Sequence, residues 1–225
     1  MEYILDTVNL EDVRICCEYF PIAGVTSNPS IVKQCGVTDF YGHFRRLREI
    51  IGMEKSLHVQ VIGQDYEGIM RDAHRILEKM DREVYIKVPV TMPGLKAMMA
   101  LKKENVHITA TAVYQKAQAF LAIEAGADYV APYYNRMMNM DIDADRVIEA
   151  IAQMIEKGGY KSKIVAASFK NMDQVNRAFA GGAQAVTLQP QLLYDVFKMP
   201  AIQKAVDDFA ADWEKAFGGK TPGDL

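Results

Sequence analysis

Short apolar runs, each long enough for one strand, alternate with longer amphipathic stretches along the whole chain. The strand candidates are residues 3–6, 23–26, 57–61, 84–88, 107–110, 129–131, 163–167 and 185–188, with successive starts 20 to 34 residues apart. Helical periodicity fills the gaps. From Tyr66 to Met80, the residues Ile69, Ala73, Ile76, Leu77 and Met80 follow three- and four-residue spacing. Ala117, Phe120, Leu121, Glu124 and Ala125 do likewise before Gly126, and the stretch Met172 to Ala180 ends at Gly181 and Gly182; these glycines read as helix stops. Such one-to-one alternation builds a parallel sheet with its helices outside. Eight repeats in about 200 residues fit an α/β fold closed into a (β/α)8 barrel of the TIM type better than an open sheet.

Residues 1–225 are therefore expected to form a single domain, with the barrel over 1–198, since no linker or composition break marks a second one. Residues 200–217 read as an extra C-terminal helix with Ile202, Val206, Phe209, Trp213 and Phe217 along one stripe. The barrel is complete without this helix. Its stripe must cover a surface elsewhere, on its own barrel or on a neighbouring subunit. Residues 218–225 read as a frayed tail.

Composition narrows the functional classes. With 50% apolar and 24% charged residues, the chain of 225 is neither disordered nor fibrous. Its 26 basic residues are outnumbered by 29 acidic ones and are scattered, which argues against a nucleic-acid partner. The short cluster Arg45, Arg46, Leu47, Arg48 reads as a solvated helix face. Cys16 and Cys17 are adjacent and Cys35 stands apart, without CxxC or His/Cys spacing, so neither a disulfide framework nor a metal is expected. No apolar run approaches the roughly 20 residues of a membrane helix. The N-terminal residues lack the basic and apolar regions of a secretory signal. The expectation is a soluble, cytoplasmic protein with no membrane partner.

Side chains of a strand face alternate sides. In the fourth strand Val84, Ile86 and Val88 suit the helix layer, which turns Tyr85 and Lys87 into the barrel. In the fifth, Val106, Ile108 and Ala110 face out while His107, Thr109 and Thr111 face in. In the third, Val59 and Val61 face out, with His58 and Gln60 inward. The seventh is read with Val165 and Ala167 outward and Ala166 and Ser168 inward. Asp6 closes the first strand, Thr26 and Asn28 close the second, and Tyr133 follows the sixth. The polar residues thus gather at the C-terminal strand ends, where barrels of this kind hold their sites.

Lys87 stands at the centre of that gathering. An unpaired ammonium among apolar side chains costs several kcal/mol, so packing alone does not account for it. Either a carboxylate pairs with it structurally, or burial has lowered its pKa and made it nucleophilic towards a carbonyl carbon. Asp6 can orient it or carry its protons, although an aspartate at a strand end is often only a helix cap. His58 and His107 read as core or rim residues, and the methionine pairs at 98–99 and 137–138 as filler and loop.

Several segments resemble the transaldolase superfamily, and within it the short fructose-6-phosphate aldolase branch. They are Leu-Asp-Thr at 5–7, Gly-Val-Thr-Ser-Asn-Pro-Ser at 24–30, Lys-Val-Pro-Val-Thr at 87–91, Thr-Ala-Val-Tyr at 111–114, Ala-Pro-Tyr-Tyr-Asn-Arg at 131–136 and Ala-Ala-Ser-Phe at 166–169. The ending Asp-Trp-Glu-Lys-Ala-Phe-Gly at 212–218 agrees. The resemblance implies a class I, cofactor-free and metal-free aldolase acting on a small ketone donor and a phosphorylated aldehyde acceptor. It matches Lys87 to the Schiff-base lysine, Asp6 to the carboxylate beside it, and Asn28 to a contact of the bound donor. Gln60, Thr111 and Tyr133 match the group that holds a water and moves protons. Arg136 and Ser168 match the phosphate-binding positions. Thr26 and Thr109 complete the expected substrate contacts. The resemblance also implies a homopentamer, or a homodecamer of two stacked rings, with the C-terminal helix reaching a neighbour.

The rival within the superfamily is transaldolase, which passes the dihydroxyacetone unit to another sugar aldehyde. Transaldolases resemble this chain but carry glutamate at Gln60, phenylalanine at Tyr133 and asparagine at Thr109. The first two positions match the aldolase; Thr109 stands where the aldolase has an apolar residue. A phosphosugar isomerase or a non-catalytic phosphosugar-binding barrel is a third possibility that the fold alone permits.

Overall fold

The computed structural model describes residues 1–225, which divide into two compact units, Met1–Pro190 and Gln191–Leu225. In the first, β1 (Glu2–Asp6), α1 (Leu10–Tyr19) and β2 (Ile22–Thr26) are followed by two helices, α2 (Pro29–Gln34) and α3 (Phe40–Ile51). Then come β3 (Ser56–Gln60), α4 (Tyr66–Lys79), β4 (Tyr85–Pro89), α5 (Met92–Lys103), β5 (Ile108–Val113) and α6 (Lys116–Glu124). After β6 (Tyr129–Pro132) stand α7 (Tyr134–Met138) and α8 (Ala144–Gly158), and the barrel ends with β7 (Lys163–Ala166), α9 (Met172–Ala180) and β8 (Ala185–Leu188). The eight strands are parallel and close in sequence order, β8 pairing with β1. The fold is the (β/α)8 barrel expected from the alternation.

Local chemistry starts and stops the helices. Asn9, Asp39, Asp65, Thr91, Asp143 and Asn171 each cap a helix by accepting a backbone N–H of its first turn. Gly126, with φ of 90°, follows α6, and Gly182, with φ of 99°, follows α9; a side chain at either would strain the turn. The helices cover the outer faces of the strands. Ile86, Val88, Ile108 and Ala110 are fully buried there, each large side chain contributing roughly 1.5–3 kcal/mol.

The inward faces fill the lower barrel. Ile4, Tyr129, Ala131, Val165 and Ala185 form one buried cluster, with Ala23 and Tyr85 against it. His58 stacks on Tyr85 at 4.7 Å and meets Tyr129 edge-on at 5.3 Å, so aromatic rings floor the interior. Val165 in this cluster corrects the reading of the seventh strand. Tyr129 stands opposite Lys163 and Ala185 opposite Val165, which turns Val165 and Ala167 inward and Ala166 outward. Arg48 is a second correction. Rather than facing solvent, it is buried, clasps Asp81 through Nε at 3.0 Å and Nη2 at 3.2 Å, and donates to the Gly52 and Lys55 carbonyls.

The second unit holds α10 (Pro190–Val196, whose first residue closes the first unit) and α11 (Pro200–Phe217). The α11 stripe is exposed, Phe209 by 74%, and Trp213 stacks on Phe217 while its indole N–H donates to the Lys220 carbonyl at 2.7 Å. No helix is long and apolar enough to cross a membrane.

Candidate active site

A cavity of about 360 Å³ opens at the C-terminal strand ends. Asp6, Thr26, Asn28, Lys87, Thr109, Tyr133, Arg136 and Ser168 all line it, so eight of the ten candidate residues share one space. Each strand brings its contribution by register. Lys87 stands opposite Gln60 on one side and Thr109 on the other; Asp6 stands opposite Thr26.

Lys87 is only 4% exposed, and its Nζ donates to the Ser27 carbonyl at 2.8 Å. Burial lowers its pKa from the ordinary lysine value, while the Asp6 charge opposes that shift. A carbonyl oxygen accepts a hydrogen bond without neutralising the amine, so Lys87 retains a lone pair once its proton leaves. Ser27 is fixed for this role: its N–H and its hydroxyl both donate to the His58 carbonyl at 3.1 Å.

Asp6 is the end of a hydroxyl chain. Thr26 donates to its Oδ1 at 2.8 Å, and Thr187 lies 2.6 Å from the Thr26 oxygen. With Thr26 donating to Asp6, the Thr187 proton points at Thr26. Burial raises the Asp6 pKa, against the lowering influence of Lys87, Thr26 and Arg136. A carboxyl held up in this way exchanges protons more readily near neutrality than an ordinary aspartate.

Tyr133 hangs between β6 and the start of α7, with its hydroxyl 2.8 Å from Thr111 Oγ1. Burial raises its pKa, so the phenol keeps its proton. Thr111 itself does not line the cavity and reaches it through this bond. The Arg136 guanidinium lies 4.7 Å above the Tyr133 ring and donates to the Tyr114 hydroxyl at 3.2 Å. Its remaining N–H groups are free for an anion.

Ser168 arrives by an unexpected route. Its φ is 66°, a left-handed backbone that costs a side-chain-bearing residue roughly 1–2 kcal/mol. Bonds from Tyr134 N–H to the Ala167 carbonyl (2.8 Å) and from Asn135 N–H to the Ser168 carbonyl (3.0 Å) hold it. The strand alternation breaks here and brings Ser168 to the cavity wall although Ala167 also faces it.

Gln60 departs from expectation. It stands beside Lys87 in the ladder, yet its side chain lines two adjoining grooves rather than this cavity, and its Oε1 is buried without a partner. Asn28 caps α2 through Oδ1, which accepts from the Ile31 N–H at 3.1 Å, and lines the cavity. Among the lining residues that are not candidates from the sequence are Thr187, Asn135 and Lys170. Thr187 was detectable two positions after the inward Ala185. Nothing in the local pattern marks Lys170.

Residues 3–220 match a family described as transaldolase/fructose-6-phosphate aldolase. A protein of Streptococcus pneumoniae, named a probable fructose-6-phosphate aldolase, is 54% identical over 213 residues, spanning 95% of this chain and 96% of that one.

Proposed function

The chain belongs to the transaldolase/fructose-6-phosphate aldolase family, and on that footing we propose that it is a cytoplasmic class I aldolase cleaving and forming fructose 6-phosphate. The observation that carries this reading is a buried lysine that shares one cavity at the strand ends with a carboxylate; burial favours the neutral form of each. The deprotonated Lys87 amine attacks the C2 carbonyl carbon, and loss of water gives an iminium. Asp6 serves the proton transfers at that nitrogen. Removal of the C4 hydroxyl proton breaks the C3–C4 bond, and its electron pair enters the iminium to form an enamine. Glyceraldehyde 3-phosphate leaves. Protonation at C3 and addition of water at C2 then free dihydroxyacetone and restore the amine.

Tyr133, hydrogen-bonded to Thr111 and itself protonated, is the group assigned to hold the water that relays the C4 proton to the Asp6 carboxylate. Gln60 is assigned to the same water although its side chain lines the neighbouring grooves: its buried Oε1 has no protein donor, which otherwise costs about 1–3 kcal/mol. Thr26 and Asn28 are assigned to the donor. Arg136 and Ser168, with Lys170 nearby, are assigned to the acceptor phosphate. The exposed apolar stripe of α11 supports assembly into rings in which this helix covers a neighbouring copy.

The deciding experiment measures free-ketone release and transfer to a second aldehyde side by side on the purified enzyme. Release faster than transfer supports the aldolase; the reverse supports transaldolase. For the phosphate, Arg136→Ala is expected to raise KM for glyceraldehyde 3-phosphate by about 10- to 150-fold, the worth of one charge-assisted contact. Unphosphorylated glyceraldehyde should change far less. Equal losses for both would move the phosphate elsewhere.

The Asp6 charge also has a measurable sign. It raises the Lys87 pKa against the larger effect of burial. Asp6→Asn is therefore expected to move the pH inflection of borohydride trapping downward, even as turnover falls. An upward or absent shift would separate the two residues electrostatically.

A further inference from the structure

We propose that His58 is a positioning residue that holds Thr109 as a hydrogen-bond acceptor for the hydroxyl on the non-reacting carbon of the ketone donor. The pair thereby selects dihydroxyacetone over hydroxyacetone. This rests on the aldolase reading and deepens it, since that reading alone leaves the donor open.

His58 is fully buried, and so is Thr109, which stands opposite Lys87 in the ladder and among the residues that line the cavity. The imidazole is held on both sides: Nδ1 lies 2.7 Å from Thr109 Oγ1 and Nε2 lies 2.9 Å from Ser56 Oγ. Stacking on Tyr85 and the edge of Tyr129 fix the ring plane. The bond crosses over β4, joining β3 to β5, so it is not a by-product of neighbouring strands.

The proton count gives the direction. Ser56 Oγ lies 2.9 Å from Nε2 and 3.4 Å from the Ala23 carbonyl; the tautomer we propose turns the serine hydrogen to that carbonyl, and its oxygen accepts from Nε2–H. Burial, helped by the charges of Lys87 and Arg48, keeps the His58 pKa well below the ordinary value, and the ring stays neutral. A neutral ring protonated on Nε2 has a bare Nδ1, which accepts from Thr109 O–H. The Thr109 hydrogen is thus turned to His58, which leaves its oxygen a lone pair to offer a ligand in the cavity that the residue lines. A ketone carbon bonded to Lys87 Nζ carries one carbon to either side, and the side formed by β5 offers it this acceptor. Hydroxyacetone shares the reacting CH₂OH group with dihydroxyacetone and has a methyl where the second hydroxyl stands.

The test measures kcat/KM for both donors with the same aldehyde. Thr109→Val keeps the shape and removes the hydroxyl; His58→Phe keeps the ring stack and removes both nitrogens. Each is expected to lower the dihydroxyacetone-to-hydroxyacetone ratio by about 3- to 10-fold, and the double variant to lower it no further than Thr109→Val. A ratio unmoved by Thr109→Val, or moved by it but not by folded His58→Phe, overturns the proposal. Nitrogen-15 NMR of the histidine-labelled wild-type enzyme reads the tautomer directly and does not depend on a variant folding. A pyrrole-like Nε2 and pyridine-like Nδ1 are expected; a proton on Nδ1 overturns the proposal. Borohydride trapping of both donors runs alongside: if neither attaches to Lys87, it is the aldolase reading that fails, whatever the tautomer.

Discussion

Lys87→Met is expected to abolish cleavage, with a loss on the order of 10⁴-fold or more, as when the nucleophile of a covalent catalyst is removed. Methionine keeps much of the length and fits an interior where the lysine is only 4% exposed, so the fold should survive and circular dichroism should not change. In the wild type, dihydroxyacetone with borohydride should add one donor unit to the peptide containing Lys87; in the variant that label should vanish. Label on another lysine would remove Lys87 from the mechanism. The iminium itself is the electron sink for C3–C4 cleavage, so the reaction should also survive EDTA.

The second large effect is expected at Tyr133. Tyr133→Phe removes one hydroxyl while keeping the ring under Arg136 and against Tyr114, 4.7 and 5.5 Å away. Cleavage and ketone release should fall by about 10²–10⁴, the worth of a positioned acid–base group. Trapping on Lys87 should persist, since the lysine is untouched, and transfer should fall less than release. Tyr134 is the internal control. It is buried, its hydroxyl donates to Asp145, and it does not line the cavity, so Tyr134→Phe should leave turnover close to the wild type. Normal cleavage by Tyr133→Phe would transfer the assignment to transaldolase.

What the sequence made legible follows the contrast between polar and apolar positions. In β4, a lysine between Ile86 and Val88 marks its face at once, and the strand ends of β1, β2 and β6 read equally well. In β7 the run Ile164, Val165, Ala166, Ala167 has no such contrast, because both faces are buried in a barrel. Only its pairing with β6 and β8 decides the face. Arg48 was misread for a related reason: a charged side chain whose partner, Asp81, lies 33 residues away looks solvated in the helix pattern. The inward face of Gln60 was readable, but the direction of a long amide beyond its Cβ was not. His58 and Thr109 pair across 51 residues and over an intervening strand, a relation no local period encodes.

The aromatic floor beneath Lys87 has a kinetic consequence. With Tyr85, Tyr129 and His58 closing the lower barrel, aldehyde, water and ketone all pass at the strand ends. In the proposed sequence the aldehyde departs while the three-carbon unit is still bonded to the enzyme, and water must then enter along the path just vacated. A crowded mouth delays the water and returns the aldehyde to the waiting enamine. Rising aldehyde concentration should therefore act as more than ordinary product inhibition: it captures the enamine before water does and turns the enzyme from breaking carbon–carbon bonds to making them.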